Sequence, residues 1–423
     1  MDEQYRQDRS RIENNPRRGS RDPRWRLSRA ALALTVAIVT LGVCASPGNA
    51  STGSVYYDAL SNVGAGAGPT FFHGASTTGG YNVGLDYGVM PSITSGTGNT
   101  TVGFLTLHKD TTGSLNSVNG YRAMFANSTG GNNVATGSYA LTSNISGGFN
   151  TASGYSALKS NVTGVSNTAS GARALDGNTV GAENTASGAL ALSGNIDGSD
   201  NVASGYQALF SNTSGDDNVA AGYRALYGNT TGNRNIASGR SALFSNTAGH
   251  ENVASGIQAL YSNTIGDHNS AIGNNAMFAN TSGRDSVAIG TGALGSNTTG
   301  STNVAIGSGA GSKLTTGSNN VDIASPGGAG ESGVIRIGTL NKQTAVFLQG
   351  VSGKTIAGPT EAVVVNANGR LGTGPAPAAS LKGESQSLRR LRAENRRQSG
   401  QLHRQRAHIA RLTRAVHRLE RRH

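Results

Sequence analysis

Few side chains in this 423-residue chain are of types and spacings that could do chemistry. Its eight histidines fall at no metal-ligand spacing, and acid pairs such as Asp216-Asp217 lie in turn-like stretches without a cleft to serve. Gly290-Thr291-Gly292-Ala293-Leu294-Gly295 matches the GxGxxG of dinucleotide sites, but no helix-forming segment follows it, so the match reads as a corner of a repeat. Sequons stand at Asn127, Asn144, Asn161, Asn212, Asn229, Asn280 and Asn297; a recurring turn Asn followed by Ser or Thr accounts for them. No catalytic residue, cofactor or metal is therefore expected.

Two surface chemistries remain. Phe210, Tyr227, Phe244, Tyr261 and Phe278 recur every seventeen residues and predict an aromatic ladder. It reads either as packing within or between chains, or as a strip that contacts carbohydrate or protein. The second is basic: Arg389, Arg390, Arg396, Arg397, Arg404, Arg411, Arg414 and Arg418 crowd the C-terminus. They read as the solvated face of a coiled coil, or as a contact for an anionic envelope polymer or lipid surface. Nucleic acid is not expected as a partner, because no stacking aromatics lie among these Arg.

The elements that must position these groups follow from a repeat. With 62 glycines, 5% aromatics and one Trp, the chain lacks the large side chains of an ordinary core and must gain burial by regular stacking of small ones. From Asn99 to Asn320 one register recurs every seventeen residues without a slip, with Ser286 in one Asn place. Glycine comes four residues after each start (Gly103, Gly154, Gly222, Gly307) and again fourteen after (Gly113, Gly164, Gly232, Gly317). Ala fills the third and eighth places, Leu or Met the ninth, and Asn the twelfth.

Asn161-Val162-Thr163-Gly164 and its copies have the Asn-first, Gly-fourth preference of a type I turn. A unit of one corner and two short extended legs cannot fold alone, but stacked copies pair backbone to backbone and bury a column of Ala and Leu. The expected fold is all-β: a parallel β-solenoid or β-roll, its thirteen periods forming a rod on the order of 60 Å. A disordered spacer is the competing reading, but disorder has no need to hold the registers. One Leu and two Ala make a thin core, so either the coil is narrow or the Leu column also packs against a neighbouring chain.

At these residues the chain resembles known proteins. Residues 286–311 (SVAIGTGALGSNTTGSTNVAIGSGAG) are similar to the head repeats of trimeric autotransporter adhesins of the YadA-like kind. Residues 218–232 resemble related repeats of tail-fibre-like proteins, and 333–373 resemble the β-rich module that precedes an endosialidase-type intramolecular chaperone. The resemblance implies a homotrimeric, elongated, extracellular fibre or adhesin. Neither the self-cleaving chaperone nor the membrane-anchoring β-barrel of such proteins is expected from residues 374–423, and self-cleavage is not expected.

The net charge of +12 belongs to the ends: nine Arg against five acids in residues 1–29, twelve Arg against two Glu in 388–423, and −2 for the body between. Ala30–Ala45 is an apolar run behind an Arg-rich segment and before SPGNA, a secretory signal pattern with cleavage expected after Ala50. The alternative is an uncleaved signal anchor that tethers the chain to a membrane. Cys44, the only cysteine, falls in that segment, so no disulfide framework is expected.

The organisation expected is residues 1–50 as basic region and signal, 51–98 as a cap outside the register, 99–325 as repeat, 326–372 as a β-rich neck, 373–387 as a Gly/Pro/Ala linker and 388–423 as coiled coil. In that last segment Leu388, Leu391, Asn395, Gln398, Leu402, Gln405, Ile409, Leu412, Val416 and Leu419 alternate in steps of three and four. Ile409/Leu412 and Val416/Leu419 lean towards a dimer, whereas the family implies a trimer, which is the expectation adopted here. The function expected is a secreted or surface-held, non-catalytic fibre that binds a host or environmental ligand. The alternatives are a polysaccharide-active solenoid enzyme or a tail-fibre-like structural component.

Overall fold

The computed structural model describes residues 55–65, 78–339, 342–343, 345, 363–365, 370–373 and 378–421. The N-terminal basic region and Ala30–Ala45 lie outside the described residues, as do Phe71 and Phe72. The chain divides into two units, Met1–Gln343 and Thr344–His423.

The first unit is the expected solenoid. A short strand β1 (Val55–Tyr57) pairs antiparallel with β2 (Val63–Ala65). From β2 through β3 (Val83–Leu85) to β17 (Val321–Ile323) and β18 (Ile335–Ile337), every strand pairs parallel with the next in sequence. Each is three residues long, and in all but β18 the middle residue alone turns inwards, which is the column Ala135, Ala152, Ala169 and onwards. The coils are zipped together outside the strands as well: Leu158 N–H donates to Ala174 O at 3.0 Å, Ser160 N–H to Asp176 O at 3.1 Å, and Val162 N–H to Thr179 O at 2.8 Å.

The two glycine columns have separate causes. Gly154 has φ 138°, a conformation that only glycine adopts comfortably. Gly164 is held instead by crowding, since a Cβ there would lie 2.4 Å from Asn161 Oδ1 and 2.5 Å from Gly181 O. The Leu column is left-handed too, Leu158 at φ 50° and Leu209 at φ 51°. That backbone is tolerable for Leu and Met but costly for a β-branched residue, which explains why Val and Ile never take the place.

Leu141 through Leu260 are fully buried by their own chain. The narrow-coil alternative therefore holds, and the Leu column does not pack against a second chain. The rest of the interior is polar. Both Asn columns, of which only the second (Asn161 and its copies) was expected to form turns, point inwards and run through the coils as two hydrogen-bonded ladders, the first passing through Ser286 in one place. In the first, Asn150 donates from N–H and from Nδ2 to Asn133 Oδ1 (2.9 and 3.1 Å) and from Nδ2 to Gly164 O (2.9 Å). In the second, Asn161 Nδ2 donates to Asn144 Oδ1 (2.8 Å) and to Gly164 O (3.0 Å). A buried amide would be costly alone, but an identical neighbour one coil away satisfies it.

Each ladder is directional: every amide donates towards the preceding coil. In both ladders the acceptor that receives the first amide is an Asp. Asp58 receives Asn62 N–H and Nδ2 at 2.9 and 2.8 Å, and Asp110 receives Asn127 Nδ2 at 2.8 Å. Asp110 is buried with Oδ2 unpartnered, and burial pushes its carboxyl up to about 7. At the far end Leu314 replaces the next Asn, and Asn297 Oδ1 is left without a donor.

Two boundaries differ from expectation. The register does not begin at Asn99: Asn82, seventeen residues earlier, is already in the ladder and donates to Asn62. Asp86, at φ 106°, stands where later coils have glycine, which hides that coil in the sequence. From Tyr81 onwards the segment expected as a cap is thus part of the coils, Tyr87 included, while antiparallel β1 and the twenty-residue step from Val63 to Val83 keep residues 55–65 outside the register. The parallel stacking, though not the seventeen-residue step, also continues past 325: β18 pairs with β17 after a step of fourteen residues (Val321 to Ile335), and Asp322 takes the Ala place of β17 and is buried.

The second unit holds a short antiparallel pair, β19 (Val363–Val365) with β20 (Leu371–Thr373), and one helix, α1 (Ala378–Glu420). The helix starts inside the segment expected to be a linker, directly after Pro375 and Pro377, which fits proline's exclusion from helix interiors. Among the described residues no helix is long and apolar enough to cross a membrane.

Candidate functional site

The aromatic ladder forms as spaced. Phe210, Tyr227, Phe244, Tyr261 and Phe278 stack one per coil, with ring centroids 5.0–5.2 Å apart and planes within 5–8° of parallel. All five are half-buried. Because each ring faces its neighbour, the faces are largely spent on one another and the edges meet solvent. The column follows directly on the buried Leu column (Met277 before Phe278), so that buried residue anchors each ring against the rod.

A second aromatic column, four residues earlier in each coil, was missed by the sequence reading. Tyr87, Phe104 and Tyr121 stack in succession at 5.3 and 5.6 Å, and Tyr206 stacks on Tyr223 at 5.6 Å. At the next coil the column changes chemistry: Arg240 takes the place and sets its guanidinium 5.7 Å from the Tyr223 ring centre. Arg224 lies between the columns, 5.3 Å from Tyr223 and 5.4 Å from Tyr227, and its Nε donates to Gln207 Oε1 at 2.8 Å. These cation–π contacts keep both guanidiniums close to the aromatic rings of the rod.

Between the two columns is a shallow depression of about 340 Å³, lined by Tyr223, Arg224, Arg240, Ser241, Phe244, Ile257, Gln258 and Tyr261. Neither Arg224 nor Arg240 pairs with a carboxylate among the described residues. The ion pairs there are elsewhere, as between Arg234 and Glu251 at 2.6 Å.

The other candidates fall into place differently. Asp216 Oδ1 accepts Ser199 N–H at 2.7 Å and His250 Nδ1 accepts Asn233 N–H at 3.0 Å, so these turn residues serve the backbone of the preceding coil. Gly290 and Gly292 are positive-φ residues of one coil (φ 131° and 66°), in keeping with a repeat corner. The sequon residues Asn127, Asn144, Asn161, Asn212, Asn229, Asn280 and Asn297 are all buried in the second ladder, with Nδ2 already donating inwards. Among the described residues no group of His, Cys, Asp or Glu is arranged to hold a metal ion.

On α1, Arg389, Arg390, Arg396, Arg397, Arg404, Arg411, Arg414 and Arg418 are all exposed. So is the heptad stripe: Leu388, Leu391, Leu402, Ile409, Leu412 and Val416 are 52–65% open to solvent in the single chain, and Asn395, Gln398 and Gln405 lie open with them. The Leu419 side chain lies outside the described residues. No protein-family model matches this chain, and no curated protein matches it.

Proposed function

We propose that this protein is an exported, non-catalytic, adhesin-like fibre that associates into a homotrimer and presents the aromatic columns of its solenoid to a surface ligand. The observation that carries the reading is the way each coil uses its residues. The interior is closed by Ala, Leu and two self-satisfied Asn ladders, while the chemically varied side chains stand outwards in columns at one-coil spacing. A stack of this kind gives a stiff scaffold; its seventeen parallel strands extend about 75 Å at strand-pair spacing. Self-association is supported by the heptad stripe of α1, since a helix with such a stripe gains by burying it in a coiled coil. Export rests on the signal-like Ala30–Ala45 segment of the sequence.

Displaying the chain on a non-adherent bacterium and counting cells retained on glycan- and protein-coated surfaces tests this reading. Retention above the empty-display strain on at least one coating is expected. No retention on any coating, with the chain verified at the cell surface, overturns it.

A further inference from the structure

We propose that the depression between the aromatic columns binds a carboxylate-bearing saccharide, with Arg240 and Arg224 receiving the acid group. This names the ligand class of the adhesive reading and rests on it.

The charge comes first. The body of the chain is close to neutral, yet two guanidiniums converge on one small face, and neither is neutralised by a carboxylate among the described residues. Arg224 is pre-positioned: its Nε donates to Gln207 Oε1 and its guanidinium carbon lies 5.3 and 5.4 Å from the ring centres of Tyr223 and Tyr227, which leaves the outer nitrogens to donate to a ligand. A fork fixed in this way loses little freedom on meeting a planar carboxylate, for which its geometry is matched.

The rest of the lining suits a hydroxyl-rich ligand. The side chains of Ser241 and Gln258 line the depression and make no hydrogen bond within the described residues. Tyr223 and Tyr261, which also line it, carry phenol hydroxyls that can donate and accept. The ring faces of Phe244 and Tyr261 are already stacked on each other, 5.1 Å apart. That disfavours nucleic-acid bases, which need free faces to stack on. At about 340 Å³ the depression is at the small end of ligand sites, enough for one or two sugar rings.

The test is calorimetry on the full chain with trigalacturonate, a neutral galactose trimer and tripolyphosphate as probes. Saturable binding of trigalacturonate is expected, at least about tenfold tighter than the neutral trimer and than tripolyphosphate. Arg240→Gln and Arg224→Gln should each weaken it about tenfold, and Arg240→Lys should recover only part. Arg396→Gln on α1 should leave it unchanged. Arg240 is exposed, so its variants should melt like the parent, and a melting curve on each confirms that folding is not the cause. The proposal is overturned if trigalacturonate does not bind, if tripolyphosphate binds as well, or if loss follows Arg396 in place of Arg240. Surface retention that persists in the Arg240 and Arg224 variants would refute this site and leave the adhesive reading standing.

Discussion

Asp110→Asn is expected to stabilise the protein at neutral and alkaline pH. Asp110 heads the second Asn ladder, buried, with Oδ2 unpartnered and its carboxyl raised from 3.8 to about 7 by desolvation. Between those two values the folded chain holds a proton that the unfolded chain has released. Stability therefore falls as pH rises from about 4 to about 7, and the whole loss is present above that range. Three units at about 1.4 kcal/mol each make a difference of about 4 kcal/mol. Asparagine carries no charge and can donate from Nδ2 to Gly113 O, as Asn127 does to Gly130 O at 3.0 Å one coil later. Urea denaturation of parent and variant at pH 5 and pH 8 measures it. The parent should lose stability between the two, and the variant should lose less by up to about 4 kcal/mol. A variant that is less stable than the parent at pH 8, or that keeps the parent's full pH dependence, would refute the reasoning.

Leu226→Asp puts a carboxylate into a fully closed column and should cost at least about 3 kcal/mol, read as a lower urea midpoint; an unchanged midpoint would mean that the Leu column is not interior. Asn212→Ala leaves Asn195 Oδ1 without its donor and Asn229 Nδ2 one acceptor short, at about 1–3 kcal/mol for each group, so hydrogen exchange should accelerate most in the coils on either side. Expressed through a glycosylating secretory route, the folded chain should carry no N-glycan at Asn161, Asn212 or Asn229, because their amides donate inside the rod; intact mass spectrometry decides it. Ile409→Asp should lower the mass found by sedimentation equilibrium from three chains towards one, and an unchanged trimer would exclude α1 from the assembly.

The seventeen-residue solenoid could be read from sequence because stacking makes the same demand of every coil at once. Gly154 must adopt a conformation other residues resist, Gly164 must leave room for the next coil, and both constraints recur as columns. The Asn columns were harder to assign. Asn144 looks like a surface turn former and Asn133 only marks the register when each is taken singly; only an identical neighbour one coil away makes their burial affordable. The start of the rod was hidden by Asp86, which holds a glycine-like φ, and by the longer step between β2 and β3. The five-ring ladder was legible because it is unbroken, whereas Arg240 interrupts a column of another chemistry and Arg224 sits in a place of mixed residue types between the columns, so neither leaves a periodic signal.

The claim that the rod binds without cutting is tested most directly by incubating the purified chain with saturating trigalacturonate and longer acidic glycans and following new reducing ends over hours. The account predicts ligand occupancy with no new reducing ends beyond the protein-free rate. A steady release that scales with protein concentration would contradict it and make the same face the groove of a glycan-cleaving enzyme.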